Sequence, residues 1–175
     1  FQKYLLEEER QMALFKGIEI DLSSTEKFIV NNILPTRFDI LLFEYLESIE
    51  GIFFIKKIIN YWKGKTKNSE DFPLLGLAHF DPSFFVINGM SILIDFLTEN
   101  KIFFEFNTSY PQYYSQKYSS FFDQLKERNV LVSVACDSHH ISNLIDIEEA
   151  YDRIKLYALE SNLADLVQIL DKKRI

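Results

Sequence analysis

The sequence has a single cysteine, Cys136, among its 175 residues. No internal disulfide can form, and a reducing, cytoplasmic setting is expected. Cys136 sits inside an apolar run, where a small buried hydrophobe is its ordinary role. There is also no surplus of positive charge: the formal net charge is -7, and the lysines near Trp62 (Lys56, Lys57, Lys63, Lys65 and Lys67) are scattered rather than striped. Nucleic-acid binding, which depends mainly on neutralising phosphates, is therefore not expected. Long hydrophobic runs are missing as well. The most apolar stretch, residues 84–97, is interrupted by Asn88, Gly89, Ser91 and Asp95, so it falls short of a membrane span, and no signal peptide is visible. No internal repeat, low-complexity segment or domain boundary appears. With 47% hydrophobic residues, 17 Phe and 9 Tyr, the composition is that of one packed globular domain over 1–175.

What is present is organised around residues 130–140, VLVSVACDSHH. A nearly continuous apolar run of this kind reads as a parallel strand covered on both faces. Asp137, His139 and His140 then fall at its carboxyl end, where open α/β sheets and (β/α) barrels place their chemistry. An Asp and a His two residues apart can both turn toward one metal ion. A helix N-cap at Asp137 or Ser138, with the histidines merely exposed, accounts for this stretch equally well.

The rest of the chain alternates strand-like and helix-like segments. Residues 1–15 suggest an amphipathic helix, closed by Gly17. GIEIDL, from residue 17, reads as a strand. Ser23 with Glu26 matches a capping box for a short helix to about Asn32. FDILLFEY (38–45) is a buried strand, Phe53–Trp62 a helix, and residues 63–71 a loop. LLGLAHF (74–80) is a strand, 84–99 a helix, IFFEFNT (102–108) a strand, 113–128 a helix, and 146–159 a last amphipathic helix. Residues 166–170 could extend that helix or add a short strand, and the strand is favoured. Such alternation predicts an α/β fold with five or six parallel strands and right-handed crossovers.

All three histidines follow strand-like runs directly. If those strands are neighbours in one parallel sheet, Glu19, His79, Asp137 and His139 converge at one mouth. A mixed imidazole and carboxylate set suits Zn²⁺, Mn²⁺ or Fe²⁺ better than Ca²⁺ or Mg²⁺. Each residue also has a plainer reading. Glu19 can be a carboxylate paired with a lysine, His79 a satisfied core histidine, and His140 simply exposed. Glu105 and Asn107 share one strand face, where positioning loops is their plainer role. Only the joint placement raises the metal reading above these.

The ordered motifs GIEID, FDILLFEYL, GLAHFD, FEFNTS and ACDSHH resemble those of the PHP phosphoesterases (polymerase and histidinol phosphatase), especially the histidinol-phosphatase-like branch. The match runs through nearly the whole chain. It implies a distorted (β/α)7 barrel of which about the last five β/α units are present, so that the chain would be N-terminally incomplete. It further implies up to three divalent ions on Glu19, His79, Asp137 and His139, with Glu19 and Asp137 as catalytic carboxylates. The implied activity is hydrolysis of a small phosphorylated substrate by a metal-bridged hydroxide. Two departures stand beside the resemblance. The family's opening His-x-His strand is absent from the sequence, and the histidine that ends its second motif falls on Leu46, which cannot bind metal; Glu44 or Glu47 is a less favoured substitute. These departures fit a rival reading, a non-catalytic barrel acting as a scaffold or interaction subunit, like the ribonuclease P protein subunit of the same barrel shape. Arg37 is the nearest candidate for a phosphate-binding cation.

Overall fold

The computed structural model describes residues 13–140 and 147–173. The expected helix over 1–15 lies mostly outside the described residues, as does Asp146. Five parallel strands form one sheet in the order of the sequence: β1 (Gly17–Asp21), β2 (Ile40–Glu44), β3 (Leu74–Leu77), β4 (Ile102–Asn107) and β5 (Val132–Ala135). Helices fill the connections: α1 (Glu26–Asn32), α2 (Ile49–Lys65), α3 (Ser83–Val86), α4 (Met90–Asn100) and α5 (Ser119–Glu127). Two more, α6 (Glu148–Leu156) and α7 (Glu160–Lys173), follow β5. The fold is thus α/β, as the alternation of segments predicts. Among the described residues no helix is long and apolar enough to cross a membrane.

Sequential strand order with same-handed crossovers puts the connecting helices on one face of the sheet. Consistent with this, α1 contacts α2, α2 contacts α4 and α4 contacts α5. The register fixes which side chains lie beneath them. Ile18 and Ile20 align with Leu41 and Phe43, these with Leu75 and Leu77, these in turn with Ile102 and Phe104, and Phe104 with Val132. All of them join the helices' apolar residues in one core. Phe104 is fully buried among the rings of Phe80, Phe106, Tyr114, Phe121 and Phe122, with centroids 5.1–6.1 Å away. The opposite face carries Glu19, Leu42, Gly76 and Phe103 in one register row, with Glu44, Glu105 and Asn107 toward the carboxyl ends. On this face the Phe103 ring lies so close to Gly76 that a Cβ there would meet it at 2.5 Å.

Several boundaries differ from the sequence reading, each for a local reason. The cap of α1 is Thr25, not Ser23: the Thr25 hydroxyl accepts from the Phe28 N–H, while the Ser23 N–H donates to Asp21. Helix α2 begins earlier, at a Ser48 cap whose hydroxyl accepts from the Gly51 N–H, and it continues to Lys65. The helix expected over 84–99 is two helices, because Gly89 adopts φ +121°, which no α-helix accommodates. The one expected over 113–128 begins as two 3₁₀ turns, Pro111–Tyr114 and Gln116–Tyr118, with extended Ser115 between them; α5 follows. The strand favoured over 166–170 is instead part of α7. Leu159, Leu163 and Leu166 turn inward at helical spacing while Val167 stays exposed, and Asn162 donates to the carbonyls of Leu125 and Val130.

Candidate functional site

The strands all run the same way, so Glu44, His79, Asn107 and Asp137 reach one end of the sheet. That end is where β/α architectures gather their loops and ligands. Among the described residues, six non-glycine residues have positive φ, and they divide into two groups. Lys101, Asn129 and Ala158 each follow the end of a helix, where a left-handed residue is an ordinary terminator. Tyr45, His79 and Asp137 do not: each lies one or two residues beyond a strand, with φ of 60°, 33° and 45°. Such conformations cost on the order of 1–3 kcal/mol each and persist where surrounding contacts enforce them.

The contact that enforces the His79 turn is Glu105. Its carboxylate accepts from the His79 backbone N–H at 3.2 Å and from the Asn107 amide at 3.0 Å. Asn107 is locked in turn: its N–H donates to the Tyr114 hydroxyl, and its side-chain oxygen accepts from the Ser109 N–H. Burial raises the Glu105 carboxyl above the ordinary range, restrained by the donors from Asn107 and His79. The loop-positioning role weighed for Glu105 and Asn107 is what these bonds perform.

Around this frame the four predicted residues face one mouth. The His79 imidazole stands 3.7 Å from Glu44, and His139 stands 3.5 Å from Asp137. Asp137 also accepts from the Tyr110 hydroxyl at 3.3 Å, and the Tyr110 ring packs on His79 with centroids 4.8 Å apart. Glu19 lies within electrostatic reach of all four. Its carboxyl is raised, first by burial under neighbouring groups, then by the negative charges of Glu44 and Asp137, with His79 and His139 opposing. Among the described residues no three of these side chains close on a point where a metal ion would sit. They are grouped as pairs around a shared opening. His139 is largely exposed and His140 faces solvent.

The chain matches no family model, no curated protein and no solved structure. The function must be read from the residues. Leu46, which takes the place of a ligand histidine in the resemblance, is buried in the core and borders the hollow beside His79. Glu44, two residues earlier and little favoured on sequence, is the β2 side chain that meets His79. Nothing in the sequence links Tyr110 to Asp137, because a contact across 27 residues leaves no mark on local spacing. Arg37 ends a 3₁₀ turn just before β2, at the opposite end of the sheet, so it is not a cation of this mouth. Hollows of about 670 and 880 Å³ also lie at that opposite end, lined by residues such as Lys63, Phe72 and Lys101 or Thr36, Asp39 and Lys172. Neither holds an imidazole.

Proposed function

We propose that this chain is a metal-dependent phosphoesterase whose five β/α units form an arc of a PHP-type barrel. The observation that carries the reading is the placement of His79 and Asp137 in left-handed turns at one mouth, each beside a second imidazole or carboxylate. The donor set fits a Zn²⁺, Mn²⁺ or Fe²⁺ ion in kind. It fits in spacing too, since two donors each about 2.1 Å from one ion lie at most about 4.2 Å apart, and both pairs are closer than that. No lysine or arginine lines the hollow beside His79. A phosphate could be held in so acidic a mouth only with a cation present, and divalent ions would supply both that charge and a water of lowered pKa. Glu19, His79, Asp137 and His139 would hold them, with Glu44 closing on His79. Glu105 and Tyr110 keep the His79 turn and the Asp137 carboxylate in place.

One observation favours a second reading, in which the fold is a non-catalytic scaffold: the buried Leu46 leaves a family ligand position unfilled. Elemental analysis separates the two. The chain, purified without chelator or a metal-binding tag, is expected to carry at least one equivalent of Zn, Mn or Fe, and His79→Ala and Asp137→Ala are each expected to lose it. Full metal content in both variants would defeat the site. A folded, metal-free wild type would leave the scaffold.

A further inference from the structure

Beside His79 lies a hollow of about 100 Å³. It is lined by His79 and by Tyr45, Phe84, Tyr110 and Tyr113, and its acidic members are Glu47 and Asp81. Two of these rings are wide open to water, Tyr45 at 57% and Phe84 at 50% exposure. Tyr110 and Tyr113 are stacked nearly parallel with centroids 5.5 Å apart, and Tyr45 meets the His79 ring edge-on at 5.9 Å. The volume is well below the roughly 300–1,000 Å³ of sites that take drug-sized ligands.

Aromatic side chains around a small space can bind cations through the ring quadrupole, and the carboxylates of Glu47 and Asp81 add direct attraction. A neutral apolar head group would gain the rings but leave the carboxylates unpaired, and an anion would be repelled by them. We propose that this hollow binds a small organic ammonium group. The hollow adjoins the candidate hydrolytic mouth, so the ammonium would belong to the alcohol side of the phosphate ester; that placement rests on the phosphoesterase reading, whereas ammonium binding itself does not.

The test is calorimetric titration of the full chain with choline and, separately, with 3,3-dimethylbutan-1-ol, its neutral isostere. Choline is expected to bind about tenfold more tightly than the isostere. Phe84→Leu, which keeps apolar volume but removes a π-face at a half-exposed position, is expected to weaken choline about threefold. Asp81→Asn should weaken it as well, while keeping the oxygen that accepts from the Ser83 N–H. Equal affinity for the two probes, no binding of choline, or indifference to both substitutions would overturn the proposal. Phosphocholine turnover is then measured apart from binding. Choline binding without turnover would tell against the hydrolase reading alone, and turnover without preference over a neutral phosphate ester would tell against the ammonium pocket alone.

Discussion

The two faces of the parallel sheet are built from the same strands in alternation, yet they are opposite in character. Beneath the helices, Leu41, Phe43, Leu75, Leu77, Phe104 and Phe106 are buried and apolar. On the other face the same strands carry Glu44, Glu105 and Asn107 toward the carboxyl ends, with Glu19, Leu42, Gly76 and Phe103 in one row nearer the amino ends. A parallel strand covered on both sides would need apolar residues at every position. These strands break that rule at the carboxyl end of one face, where three non-glycine residues are also held in left-handed backbone. Stability is concentrated on the first face and chemistry on the second, so substitutions on the two should fail in different ways.

The largest expected loss is on the helix side. Phe104→Ala removes the ring around which five others pack. It should cost about 3–5 kcal/mol, a large part of the roughly 5–15 kcal/mol available to a domain. Denaturant titration measures it, and a loss below about 1 kcal/mol would mean that this face is not the core. Gly76→Ala comes next and probes the apolar part of the other face. The added Cβ would meet Phe103 at 2.5 Å and Leu42 at 2.7 Å, so the ring must move. A cost of about 1–3 kcal/mol is expected from this overpacking. A neutral result in the same titration would show Phe103 free to swing aside, and the open face to be loose throughout.

The helix side was the legible one. Its strands show as dense apolar runs, and every strand core was placed from them. The errors fell where one residue decides the backbone: Gly89 splitting a helix, Thr25 capping instead of Ser23, and Leu166 facing inward at helical rather than strand spacing. On the chemical face, Glu19, His79, Asp137 and His139 could be placed at one mouth because each sits in or follows a strand. Their partners could not. Tyr110 reaches Asp137 and Glu105 holds His79 across 27 and 26 residues, distances at which only the folded register brings groups together. The resemblance points to Leu46 rather than Glu44, whereas strand alternation puts residue 44 on the open face.

The smallest change at any single pH is expected from Glu105→Gln, and it tests whether the chemical face is held at the expense of stability. The folded carboxyl of Glu105 is raised, with burial as the first cause, so between its unfolded and folded values the native state holds more protons than the unfolded chain. Its contribution to stability is therefore fully present below the unfolded value, and it falls as pH rises through the folded one. Glutamine keeps a side-chain oxygen to accept from His79 and Asn107 but cannot ionise. In chelator-treated protein, the two forms should differ little under acidic conditions. As pH rises the wild type should lose denaturation midpoint faster than the variant. Identical slopes would mean that Glu105 ionises without cost in the fold, and that the His79 turn is held by something other than a desolvated carboxyl.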